Sequence, residues 1–267
     1  MKYLFFILLA SFASLLAFAQ ENDSIIVVQS PKGRLSGLID VQDLTNEGYN
    51  YWDEKFEGHW SGVEFGFNGM ANADYSMYPA SEDHFLDNDL FRSNVLNLNI
   101  LQYSRGFQQT RNNIGIVTGV GVSFQSYHLD NNTTISIDEI KKIHPSVIYY
   151  DSSQKSKLSI AYLEVPLLVE FQIPIRNKAN RLYFATGVTG AKKFESHTKM
   201  KYRKDGKREK LKSPGDYSIN DYKVAATLRL GYRWVNLFAS YDIVPLFEHS
   251  RGPVIYPFSF GFKLISF

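Results

Sequence analysis

Residues 162–171 read YLEVPLLVEF, a nearly unbroken apolar run that contains Glu164, Pro166 and Glu170. A helix is a poor reading, because Pro166 would remove a hydrogen bond and clash with the preceding turn at a cost of about 3 kcal/mol or more. At period two the run sorts cleanly. Leu163, Val165, Leu167, Val169 and Phe171 fall on one side, and Tyr162, Glu164, Pro166, Leu168 and Glu170 on the other. The segment reads as a strand with one apolar face and one face that carries both carboxylates. A slip of one residue would exchange the faces, so the carboxylates pin the register. Pro166, which has no N–H, predicts an unmade ladder bond or a bulge.

The same alternation recurs along the chain, at 59–70, 93–104, 113–125, 181–190, 222–234, 235–243 and 255–267. In 113–125, Ile114, Ile116, Val120, Val122 and Phe124 oppose Gly115, Gly119, Gly121, Ser123 and Gln125. In 222–234, Tyr222, Val224, Leu228, Leu230, Tyr232 and Trp234 oppose Lys223, Thr227, Arg229, Gly231 and Arg233. Throughout, one face is oily and the other small, polar or charged.

The connectors alternate in length. Long polar segments, 71–92, 126–157 and 191–221, follow the first, third and fifth runs, and short ones, 105–112, 173–180 and the RWVN junction, follow the second, fourth and sixth. Long loops at one end and short turns at the other suit an outer-membrane barrel whose chain begins and ends on the periplasmic side. The runs reach the roughly 9 to 11 residues that a tilted strand needs to cross a bilayer. A secreted β-sandwich or lipocalin-like barrel also alternates, but it turns its apolar face inward on strands of about six residues. The predicted fold class is all-β: a transmembrane antiparallel up-and-down β-barrel of eight strands over 59–267, with long outer loops and short periplasmic turns.

Composition agrees. The 267 residues are 15% aromatic, with a formal net charge of +2 that gives no sign of a dedicated nucleic-acid binder. Residues 1–19, MKYLFFILLASFASLLAFA, order a Lys, an apolar stretch and A-x-A as a secretory signal peptide does; an N-terminal membrane anchor is the competing reading. With no Cys in the chain, neither a lipoprotein anchor nor a disulfide scaffold is available. Beyond residue 19 no stretch approaches the ~20 apolar residues of a spanning helix, so a membrane crossing requires a closed barrel. Residues 20–58 read as a periplasmic N-terminal segment, with a small hairpin around Pro31-Lys32-Gly33 or, alternatively, as two further strands of a ten-stranded barrel.

An eight-stranded barrel is just wide enough for side chains to fill it. The inward set carries Glu64, Glu164, Glu170 and Asp242 beside Lys223, Arg229, Arg233 and Lys263, a balance of sign that makes a structural salt-bridge core or a polar conduit. Arg229 or Arg233 is the expected partner of Glu164 and Glu170. In the connector after the fifth run, Lys199, Lys201, Arg203, Lys204, Lys207, Arg208, Lys210 and Lys212 flank an Asp205-Gly206 turn. This basic segment either binds lipopolysaccharide phosphates or an acidic partner, or continues the two strands into solvent as a charged hairpin. His84, His128, His144, His197 and His249 fall in predicted outer loops, without the spacing of a metal site or a catalytic triad. Trp60, Tyr103, Tyr183, Tyr232, Trp234, Tyr241 and Tyr256, near strand ends, suit interfacial girdles.

The combination of AFAQ (17–20), FEGHWSGVEFGFNGM (56–70), YLEVPLL (162–168) and FSFGFKLISF (258–267) resembles the PorT-like outer-membrane β-barrel family. YLEVPLL is its most specific part, matching the Y-L-E-[IV]-P-L pattern of the fourth strand in such proteins. The resemblance covers about residues 56–267 and implies a porin-like outer-membrane barrel; a role in protein secretion is one function it allows. Phe267 suits the terminal aromatic that the barrel-assembly machinery reads, yet it is out of parity with Phe258, Phe260, Phe262 and Leu264. The expected protein is a monomer without cofactor or metal. It is surrounded by outer-membrane lipid and is non-enzymatic, with a porin-like role or a structural or binding role exercised through its loops. A loop hydrolase built on His and Asp is the alternative.

Overall fold

The computed structural model describes residues 56–107, 113–130, 133–146, 154–175, 177–204 and 207–266. The signal peptide, nearly all of the N-terminal segment, the Asp205-Gly206 turn and Phe267 lie outside the described residues. Among the described residues eleven strands follow in order: β1 (Gly62–Asp74), β2 (Asn94–Gly106), β3 (Ile114–His128), β4 (Thr134–Ile137), β5 (Ile143–Ser146), β6 (Lys155–Ile175), β7 (Asn177–Lys204), β8 (Lys207–Pro214), β9 (Tyr222–Tyr232), β10 (Val235–Asp242) and β11 (Val254–Ile265).

Eight of them close on themselves. The sheet runs β6-β3-β2-β1-β11-β10-β9-β7, and β7 pairs back onto β6, every pair antiparallel. Each barrel strand neighbours its sequence neighbours, and β11 returns to β1, which is the up-and-down closure that abolishes free edges. The short junctions β2–β3, β6–β7 and β9–β10 share one end with the start of β1 and the end of β11. At the other end stand the long connectors, one of which holds the β4–β5 hairpin.

The barrel is inside-out relative to a soluble one. On β6, Val165 is 48% exposed and Leu167 53%, whereas Leu168 and Glu170 are 1% exposed. Leu96, Phe124, Leu228, Leu230, Phe260 and Phe262 likewise point outward, and Asn97, Ser123, Gln125, Thr189, Thr227 and Ser259 point inward. Pro166 interrupts pairing as its missing N–H requires: β6 pairs with β3 at Leu167↔Thr118 and Glu164↔Gly121 with nothing between, and the register is unchanged across the gap.

Two strands differ in extent from what periodicity suggests. β7 continues past Gly190 to Lys204, because Ser196, Thr198 and Met200 stay buried while the intervening residues turn outward. The outward partners there are charged rather than apolar, so the segment reads as a loop although it alternates. β1 in turn begins at Gly62, three residues after the expected start.

Candidate functional site

The lumen has a floor, a charged middle and a roof. The floor is made by residues 56–61, which enter the barrel at the short-turn end before β1 begins. Inward side chains of the wall hold this segment by its backbone. Gln102 accepts from the N–H groups of Trp60 and Ser61 at 2.7 and 2.8 Å and donates to the Gly58 carbonyl at 2.8 Å. Asn99 donates to the Trp60 carbonyl at 3.0 Å, and Lys263 to those of His59 and Ser61 at 2.6 and 3.0 Å. Glu170 accepts from the His59 N–H at 3.0 Å and meets its ring Nδ1 at 2.6 Å, while that ring stacks on Tyr183 with centroids 4.2 Å apart.

The row of inward glycines on β3 now has a purpose. A Cβ on Gly115 would strike the Phe56 ring, and one on Gly119 or Gly121 would meet the Trp60 indole. Only a side-chain-free wall lets an aromatic plug approach this closely. Phe56 and Trp60 pack there with Val117, Leu168 and Ala185.

Above the floor, Arg229 is ion-paired with Glu64. Lys223 stands between Asp242 at 3.3 Å and Glu164 at 3.9 Å. Asn97 links this layer to the wall, donating to Glu64 at 3.3 Å and accepting from Ser123 at 2.8 Å. The space left among these groups is about 30 Å³, room for a water or two.

The roof is apolar. Tyr75, Tyr78, Phe85 and Leu86 of the β1–β2 connector pack with Tyr127, Leu158, Tyr162, Ile219 and Phe247. Rings meet edge-on, Tyr78 to Phe85 at 5.4 Å, and Tyr78 donates to the Ile143 carbonyl at 2.8 Å. Asn220 ties the loops together by donating to the Pro245 and Phe247 carbonyls at 2.7 and 2.9 Å. Burial in this cluster raises the phenols of Tyr75 and Tyr78 above their ordinary value.

Seven of the eight expected inward charges face the interior, in two groups. Glu64, Glu164, Asp242, Lys223 and Arg229 form the middle layer, and Glu170 and Lys263 grip the floor segment. Arg233 is excluded. It sits exposed in the β9–β10 turn at φ 56°, because the strand has already ended at Tyr232. The expected pairing of Glu164 and Glu170 with Arg229 or Arg233 is replaced by Lys223 for the first and His59 for the second. Two girdle assignments also change: Trp60 is 3% exposed in the floor and Tyr183 is 2% exposed beneath His59. Tyr103, Tyr232 and Trp234 are exposed at the short-turn end, and Tyr241 is exposed at the other, stacked with Tyr256 at 6.3 Å.

Of the histidines, His128 and His197 lie on barrel strands rather than in loops, and His144 lies on β5 of the hairpin within a long connector. His144 meets Glu82 at 2.8 Å through Nδ1 and Asp138 at 3.3 Å through Nε2, so neither nitrogen is left to activate a nucleophile. His84 is exposed and faces Asp87 at 3.3 Å and Asp83 at 3.5 Å. His249 is exposed in the β10–β11 connector. Among the described residues, no cluster of His, Cys, Asp and Glu could hold a metal ion.

The basic segment forms a hairpin of β8 on the outer half of β7. Lys199 pairs with Lys212, Lys201 with Lys210, Arg203 with Arg208 and Lys204 with Lys207. The chain matches no family model, no curated protein and no solved structure.

Proposed function

We propose that this chain is an outer-membrane β-barrel protein, non-enzymatic, with a lumen closed to ions, that works through its long-loop end. The inverted polarity of the barrel carries this reading. At mid-height apolar side chains cover the outside of all eight strands while carboxylates and cations line the inside, an arrangement that is costly in water and favoured in hydrocarbon. On β9 the outward face runs from Tyr222 to Tyr232. At about 3.3 Å per residue and a tilt near 40°, that spans roughly 25 Å, the height of a barrel's lipid-facing band. The signal-peptide-like residues 1–19 support export, and the short-turn end then faces the periplasm.

Among the roles open to such a barrel, a closed lumen favours structure or binding over conduction. The floor segment, the charged middle and the aromatic roof occupy the lumen at three levels, which supports the closed reading. Conductance in a planar bilayer is the test: no steps are expected from the purified protein, and reproducible steps would restore the porin-like reading. Recovery of the protein from cells in the outer-membrane fraction, with heat-modifiable gel mobility, tests the barrel in its membrane; recovery as a soluble periplasmic protein would overturn it. The YLEVPLL resemblance supports the finer assignment to PorT-like barrels, and a part in secretion rests on that resemblance alone. In this reading the protein is a monomer without cofactor, inserted by the barrel-assembly machinery.

A further inference from the structure

Strand pairing brings the basic hairpin together with cations from two neighbouring strands. Residues directly opposite in a ladder point to the same side. His128 of β3 pairs with Lys157 of β6, Lys157 with Lys199 of β7, and Lys199 with Lys212 of β8. One step further out, Lys155 pairs with Lys201 and Lys201 with Lys210; beyond that, Arg203 pairs with Arg208. These rungs lie on the outward face, in the same parity as Leu163 and Val165 below. Met200 and Thr198, on the other face, are buried.

Like charges directly opposed across a ladder destabilise it, and here they are stacked several rungs deep. The carboxylates available are few. Glu195 reaches Lys212 at 3.3 Å, and Glu209, on the opposite face, takes the Tyr202 hydroxyl at 2.9 Å. Among the described residues, no carboxylate lies within ion-pair distance of Lys155, Lys157, Lys199, Lys201 or Lys210. Among the described residues Lys157 meets the Ser126 hydroxyl, at 3.3 Å. The ladder itself acts on its members: after burial, Lys199 and Lys201 lower the pKa of Lys157, and Lys157 is among the groups that lower that of His128.

We propose that this face binds the phosphate groups of a phosphorylated glycolipid in the membrane leaflet at the long-loop end. The inference rests on the outer-membrane reading above. Charge complementarity and position both support it. Phe124, the last outward apolar residue of β3, is level with Ala161, and the first cationic rung, at His128 and Lys157, is four residues higher. That is about 10 Å above the apolar edge for a strand tilted near 40°. A phospholipid headgroup layer is only about 5 to 8 Å deep, too shallow for the upper rungs. A glycolipid whose phosphates extend outward through a sugar layer matches the whole ladder.

The test uses the full mature chain refolded in a zwitterionic detergent, with the melting temperature followed as diphosphoryl lipid A bearing a phosphorylated core is added. A saturable rise is expected, with at least tenfold weaker response to the enzymatically dephosphorylated glycolipid. The variant Lys157→Gln/Lys199→Gln/Lys201→Gln should lose the rise yet melt no lower than the parent without glycolipid, since the like-charge contacts of the two lower rungs are gone. Lys204→Gln/Lys207→Gln, on the opposite face at the tip, should keep the rise. Equal responses to phosphorylated and dephosphorylated glycolipid, a retained rise in the triple variant, or an equal rise with phosphatidylglycerol or soluble heparin would each overturn the proposal. Failure here in a protein that fractionates with the outer membrane sinks only this inference. A soluble periplasmic protein would sink the reading beneath it.

Discussion

Lys223 holds two carboxylates in place at once, Asp242 at 3.3 Å and Glu164 at 3.9 Å, with all three side chains largely buried. Removing one member of a buried ionic group leaves uncompensated charge and costs about 3 to 5 kcal/mol. Lys223→Met is therefore expected to lower unfolding stability by that amount in urea titrations of the refolded barrel. Replacing both members of the Arg229 and Glu64 pair with apolar residues should cost far less, since desolvation is relieved together with attraction. Trp60 is a different case, because its contribution is packing. It is 3% exposed against inward glycines, and Trp60→Ala should lose about 3 to 5 kcal/mol in the same titration.

The upper halves of β3 and β7 form an element whose charge depends on pH. Burial, then Lys157, Arg92 and Lys201, lowers the pKa of His128 below its ordinary 6.5 against the opposing pull of Asp89. His197 is lowered by burial and then by Lys212, with Glu195 opposing. A histidine whose folded pKa is depressed contributes stability that is present above its unfolded value of about 6.5 and lost as pH falls through the folded one. The melting temperature should thus fall as pH is lowered from 7.5 to 5.5. The fall should be smaller in His128→Gln/His197→Gln, which isolates these two groups from the carboxylates that titrate lower. An equal fall in the double variant would show that neither histidine carries the effect.

At the scale of the whole molecule, the inversion of polarity predicts which tryptophan meets lipid. Trp234, in the β9–β10 turn, is 82% exposed, whereas Trp60 is enclosed by the wall. With Trp52→Phe in place, brominated phospholipids should quench the fluorescence of Trp234 in a Trp60→Phe background and leave Trp60 nearly untouched in a Trp234→Phe background. Similar quenching of both would mean that the floor segment leaves the lumen in a bilayer.

The eight barrel strands, the face that most of their residues take and the alternation of turn lengths were readable from YLEVPLLVEF outward, because a pleated strand flips its side chains every residue and needs no partner to do so; Arg233 broke the pattern because its strand ends at Tyr232. Pro166 marked its own ladder gap for the same local reason. What the pattern left open was which charges meet. Glu164 and Arg229 both point inward, but the stagger of the closed barrel sets Lys223 beside Glu164 and Glu64 beside Arg229. The plug was equally invisible to periodicity, since the alternating run reads on from residue 59 whereas the strand begins only at Gly62. Its trace in the sequence was the repeated inward glycine of β3, a row of missing side chains whose meaning depended on what came to occupy the space. Alternation is a property of one strand, whereas pairing partners and occupied volume belong to the closed barrel, where residues more than a hundred positions apart become neighbours.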